Sequence, residues 1–278
     1  MAIREGVLKY QPLFYVLTSI RFQPWMLLPN KIPDIQDLLR ERFPVFNQVA
    51  VTVQGVNLGS VPQENVPSRD GIPKPNAWAF HKQDRKIGCQ ISPDQIVIHA
   101  LEYERFVDFA EHVQFVLEVY LKFAKHADVN SIGIRYLDRI APKSSESLAD
   151  YMPAEFRPFE SPNESYPLLG GHSQSSYQTA DGILQARFWT GQNMLSVPND
   201  LVPIYILTQD TFIPNPNILQ PLPTGQGILD TDSIWIANEP PRMTKEQILQ
   251  TLSRLHTHAN DFFRSVCSDH AFKVWQGE

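Results

Sequence analysis

Four charged residues on two strand-like segments are the first candidates for chemistry. Asp230 and Asp232 stand two residues apart in GILDTDSIWI, residues 227–236. On a strand this spacing puts both carboxylates on one face, where they can bind a cation or act as acid and base. Arg135 and Arg139 stand in SIGIRYLDRI, residues 131–140. With Leu137 they share a face, and Ile134, Tyr136 and Asp138 share the other. Two neighbouring guanidiniums suit a phosphate or carboxylate. The alternative is an ionic seam, with Arg135 and Arg139 paired to Asp230 and Asp232 across two adjoining strands.

Other chemistry finds less support. His256 and His258 form an H-x-H within a helical pattern. Residues i and i+2 of a helix point apart, so one ion is not chelated by both. His258 is expected on a polar face with Arg254 and Asp261. The metal patterns HExxH, CxxC and EF-hand are missing, as are G-x-S-x-G, G-x-G-x-x-G and the P-loop. Gly170-Gly171 is too little for a phosphate cradle. No catalytic residue, metal ligand or cofactor is therefore assigned. Trp25 and Trp78 flank Pro-rich turns, and Trp235 precedes Pro240-Pro241. Aromatics on stiff loops suit partner recognition; the alternative is that they cap the core at the sheet ends.

The bulk figures limit the classes. The chain has 278 residues, with 24 Lys plus Arg against 30 Asp plus Glu, a formal charge of −6. This balance argues against binding nucleic acid through a basic field. Apolar residues make up 42%, too many for a disordered chain. No run of 18 apolar residues suggests a membrane span, and the first residues do not read as a secretory signal. Two cysteines, Cys89 and Cys267, make no disulfide scaffold. Both are expected reduced and half-buried, and the cytoplasm is the simplest compartment.

The elements that must position these residues follow from periodicity. Strands are expected at 13–22, 45–56, 77–83, 86–92, 95–101, 131–140, 175–180, 182–190, 200–209 and 227–236. A short helix is expected at 32–43, with another possible around 146–152. In 103–126, Phe106, Phe109, Val113, Val116, Tyr120 and Phe123 form one apolar stripe. In 243–268, Ile248, Leu252, Leu255, Ala259, Phe262 and Val266 form a second, opened by a Thr244/Gln247 capping box. The 23 prolines cluster in loops, including 57–76. The fold class is α+β. It is expected to comprise two similar halves, 1–141 and 175–278, each an antiparallel sheet packed on one long helix. A Pro/Ser-rich linker spans 142–174, where Tyr151, Phe156 and Phe159 can dock on a surface.

Several segments carry a family resemblance. They are LFYVLTSIRFQPW with its following FP, YERFVDFAEHV leading to SIGIRYLDRI, GILDTDSIW, and LHTHANDFF. Together they resemble the sporadically distributed conserved-hypothetical family of bacteria and archaea. Gly133, Arg135 and Tyr136 match its first pattern, with Asp138 in place of the usual Asn. Asp230 and Asp232 match the second pattern. His256, Asn260 and Phe263 occupy the third, Asn260 replacing an apolar residue. The patchy distribution implies an accessory role, such as an antitoxin, immunity or phage-defence component. The leading expectation is a non-enzymatic module that binds a protein partner. A small-ligand or nucleotide-binding domain, its groove lined by Arg135, Arg139, Asp230 and Asp232 and suited to an anion, is the alternative. A metal-dependent hydrolase comes last. Homo-oligomerisation is left open.

Overall fold

The computed structural model describes residues 4, 6–49, 77–192, 194–205 and 221–277. The loop expected at 57–76, residues 50–56 of the second strand and residues 206–209 of another fall outside them.

Among the described residues, ten strands form one antiparallel sheet. In chain order they are β1 (Leu13–Phe22), β2 (Val45–Val49), β3 (Ala77–His81), β4 (Ile87–Ser92), β5 (Gln95–Ala100), β6 (Ala127–Ile140), β7 (Gly170–Gln178), β8 (Ile183–Gly191), β9 (Gly227–Ile236) and β10 (Arg242–Met243). Nine follow the spatial order β2-β3-β4-β5-β1-β6-β9-β8-β7, and β10 pairs with the start of β6. The helices are α1 (Ile32–Leu39), α2 (Phe106–Ala124), α3 (Leu148–Tyr151), α4 (Val202–Tyr205), α5 (Lys245–Val266) and α6 (Asp269–Gln276).

The expected division into two sheets takes a different form. β6 pairs with β9 from Ser131↔Ile236 to Ile140↔Gly227, so strands from both halves make a single sheet. The reason is burial. β6 is buried along nearly its whole length, and a strand covered on both faces also needs both edges paired. β1 supplies the other edge. The two long helices lie on one side and share one core. Val113, Val116 and Leu117 of α2 and Ile248, Leu252 and Leu255 of α5 join Val16, Ile20, Ile132 and Ile134 in it. The capping box of α5 is formed as the sequence predicts: Gln247 N donates to Thr244 Oγ1, and Thr244 N donates to Gln247 Oε1.

A second cluster lies under α6, where Trp275, Phe272 and Cys267 meet Tyr151, Met152, Phe156 and Phe188. Residues from the 142–174 segment are thus part of the core, although Phe159 stays exposed. A third cluster covers the far face, with Tyr15, Leu17, Leu137, Trp189 and Ile228 under Val197, Leu201, Tyr205 and Leu222. Within the segment expected as a strand at 200–209, Val202–Tyr205 is a helical turn instead. Pro203 supplies helical φ in a first turn and lacks the amide a central strand needs. Neither α6 nor β10 is signalled by a long apolar stripe. Ser268, whose hydroxyl caps α6 by accepting from Ala271 N, is the short clue.

Two histidines are buried on the far face. The His81 and His99 rings are 5.3 Å apart, and His99 lies 5.8 Å from Tyr15. Among the described residues, neither nitrogen of His81 nor Nδ1 of His99 has a hydrogen-bond partner. Gly88 makes room, since a Cβ there would strike the His81 ring. Burial, with Arg85 adding to it, pushes His81 down to about 4. Burial, then His81, pushes His99 well below its ordinary value. Unfolded histidines bind protons below about 6.5 and these two resist doing so, so stability is present above 6.5 and is lost as pH falls towards 4. His81 alone contributes a loss of about 3 kcal/mol over that window. Urea unfolding from pH 7 to pH 4.5 should show a falling midpoint, and His99→Phe should reduce the slope. A midpoint equally steep in that variant would contradict the assignment.

Candidate functional site

A cavity of about 260 Å³ opens on the helix-covered side of the sheet, towards one end of β6. Its floor comes from strand alternation. Tyr136 and Asp138 are i and i+2 on β6, and Thr231 of β9 lies opposite Tyr136 in register. Its wall comes from helical periodicity. His256, Ala259, Asn260, Phe263 and Arg264 are i, i+3, i+4, i+7 and i+8 on α5, one face of the helix. Tyr103–Phe106 form another side, and residues 6–8 and 11–13 complete the lining. The N-terminal segment is tied down by Arg264, whose Nη2 donates to Gly6 O at 2.8 Å and whose Nη1 donates to Arg4 O. Tyr10 N donates to Trp275 O.

Asp138 is the outlying group. It is 5% exposed, and among the described residues nothing donates a hydrogen bond to its carboxyl. Burial, reinforced by the Asp230 charge, pushes it up to about 8. That shift favours the protonated form of the side chain near neutral pH. Beside it runs a chain of polar rings. The Tyr103 and Tyr136 rings meet edge-on with centres 5.8 Å apart, and the Tyr136 hydroxyl is 2.8 Å from His256 Nδ1. His256 stacks on Phe106 with ring centres 4.2 Å apart and planes 3° apart. Burial, with Arg264 nearby, pushes His256 down to about 4, so its ring is neutral and accepts at Nδ1 when the proton sits on Nε2. Thr231 Oγ1 is buried without a partner.

Arg135, Asp230 and Asp232 lie through the sheet, on the far face. Arg135 and Asp230 form a bidentate pair, Nε–Oδ1 and Nη2–Oδ2 both at 2.8 Å. Arg187 Nη2 reaches the same Oδ2 at 2.9 Å, and Arg135 Nη1 meets Asp200 Oδ2 at 2.5 Å. Asp230 is 0% exposed. Two guanidiniums and two carboxylates thus neutralise one another, leaving Asp230 no open side for a cation and Arg135 little to offer an anion. Asp232 lies beside them, half-buried. Burial raises it to about 6, the Arg135 charge opposing. Arg139 is separate, its guanidinium 5.1 Å over the Phe14 ring.

The tryptophans pack inward. Trp78 is buried, Trp25 meets Tyr120 edge-on at 5.6 Å, and Trp235 is half-buried against the main core. His258 points away from His256 and shares Asp181 with Arg254, at 2.8 Å and 2.6 Å. Among the described residues no three His, Cys, Asp or Glu side chains are grouped to hold a metal ion. No described helix is long and apolar enough to cross a membrane.

Sequence reasoning gave Asp138 a face but no role, and weighed His256 only as a metal ligand. Tyr136, Asp138, His256, Asn260 and Phe263 all border this one cavity.

The ion network yields a stability prediction. Arg135→Met leaves the Asp230 charge buried with one weaker partner and should cost about 3–5 kcal/mol. Arg135→Met combined with Asp230→Leu should cost less than the single change. Urea denaturation of the three proteins decides it; a single variant within 1 kcal/mol of wild type (roughly the value of an exposed pair) would overturn it. No protein-family model matches the chain, and no curated protein is significantly similar to it.

Proposed function

We propose that the chain is a binding module for a small organic ligand, with the cavity between β6, β9 and α5 as its site. The observation that carries this reading is Asp138: a buried acid on a cavity wall without a hydrogen-bond partner among the described residues. A carboxyl set in a largely apolar cavity wall is poorly hydrated, and a bound donor pairs with it. The surroundings suit binding more than catalysis. Leu8, Leu13, Phe106, Ala259 and Phe263 supply apolar surface, and no Ser, Cys or Lys is among the lining residues. A cavity of 150 Å³ holds benzene, so 260 Å³ admits a ligand of about ten non-hydrogen atoms.

A protein-partner role has support from another region. Phe159, Tyr166, Leu168 and Leu169 are all exposed within one short stretch of chain, and contiguous exposed apolar groups mark contact surfaces. That support differs from the tryptophans on which the sequence reading rested.

The test of the ligand site is a thermal-shift panel of small neutral aromatic compounds against wild type and Asp138→Asn. A compound present at a hundred times its Kd should raise the wild-type Tm by about 5 °C. Asp138→Asn removes a group that favours its protonated form in the folded state and ionises when unfolded. That imbalance destabilises the wild type increasingly as pH rises from about 4 towards 8. The empty variant should therefore melt roughly 2–4 °C higher at pH 8 while losing hydrogen-bonding ligands. A variant that melts lower at pH 8 and binds every compound as wild type does would overturn the site.

A further inference from the structure

We propose that the ligand is an organic ammonium, its N–H groups donating to Asp138 and Thr231 and its apolar body lying among the rings of Tyr103, Phe106, Tyr136 and Phe263. This rests on the reading of the cavity as a ligand site and adds the chemical class.

Three features point to a cation. First, Asp138 and Thr231, neither with a hydrogen-bond partner among the described residues, share one surface. Asp138 pairs with Leu229 and Thr231 with Tyr136 in the β6–β9 register, so Asp138 and Thr231 are diagonal neighbours on the same face. Diagonal neighbours stand about 7–8 Å apart at the backbone, within reach of one nitrogen placed between their side chains. Second, the walls are aromatic. Tyr103 meets Tyr136 edge-on at 5.8 Å, Tyr136 lies 5.9 Å from His256, and His256 stacks on Phe106. Ring faces attract a cation, the more so when water is excluded.

Third, the fixed charges nearby do not already serve this role. The Arg264 guanidinium is turned to the carbonyls of Arg4 and Gly6 and to Asn260. Arg105 and Glu104 are exposed at the rim. His256 is neutral, as its depressed basicity requires. The lining contains no lysine. A neutral donor would leave the acid protonated. An ammonium instead exchanges with it: the Asp138 carboxylic acid and R–NH₃⁺ give the carboxylate–ammonium pair and release one proton to solvent. Charge and atoms balance, and the new pair is a charge-assisted hydrogen bond.

The test is isothermal titration of phenethylamine and its alcohol isostere, 2-phenylethanol, at pH 7 in two buffers of different ionisation heat. The amine should bind at least tenfold more tightly than the alcohol and release close to one proton. Asp138→Asn should abolish that preference and the proton release, weakening the alcohol too but by less than the amine. Thr231→Val should weaken the amine severalfold and leave the alcohol unchanged. Equal affinity of amine and alcohol, or a preference that survives Asp138→Asn, would overturn the ammonium assignment. So would failure of the amine to bind while the neutral aromatic panel does, which leaves the ligand site standing. Failure of every compound in both sets would remove the site as well.

Discussion

The structure depends on burying β6 on all four sides. Fourteen residues long, it is paired to β1 on one edge and β9 on the other, with α5 over one face and the 195–205 segment near the other. A backbone in that position has no access to water, so every amide and carbonyl must be satisfied by the ladder. This is why the two halves cannot close separately. It is also why the strand that follows the first long helix becomes the centre of a sheet extending through the second half.

The same burial forces the charged residues of β6 into opposite solutions. Alternation sends Arg135 to one face and Asp138 to the other. On the far face the register places Asp230 and Asp232 within reach, and Arg187 from β8 and Asp200 complete a closed set of charges. On the helix face, Asp138 meets β9 at Leu229, which offers nothing polar. The strand thus carries a neutralised cation and an unneutralised acid three residues apart, and the difference comes from what β9 presents on each face.

How much of this was legible in the sequence can be judged from particular elements. β1 and β9 were readable to their ends, because alternation and flanking Pro or Gly define a strand locally. Both long helices were readable from their stripes, and the start of α5 from Thr244 and Gln247. Local pattern does not encode which strand edges meet; the pointer to β6 joining β9 was the charge match of Arg135 and Arg139 to Asp230 and Asp232, of which Arg135–Asp230 forms and Arg139 stays apart. Pro203 misled the strand expected at 200–209 because the neighbouring Val, Ile and Tyr are good strand formers, and the fixed φ outweighed them. The tryptophans were left between two readings, partner contact and core capping. Proximity to Pro-rich turns says nothing about which face a side chain takes. The cavity was invisible for the same reason: it needs β6 parity, α5 periodicity and the N-terminal segment together, and each alone is an ordinary element.

Asp138 also shows why the cavity is distinguishable from a packing fault. Sequences usually agree with their fold at every level, and breaches of that agreement gather where something else is being served. Arg264 is one turn beyond Asn260 on the same wall. Its guanidinium donates to the carbonyls of Arg4 and Gly6, tying the N-terminal segment to the cavity wall. Ala259, the smallest residue on that face of α5, leaves space where a larger side chain would fill it. Thr231 adds a second buried acceptor where β9 has apolar residues at Ile228 and Leu229. An acid, a hydroxyl, a small residue and an arginine bonded to backbone carbonyls converge on one volume, and the common consequence is a space that stays open with its acceptors unfilled.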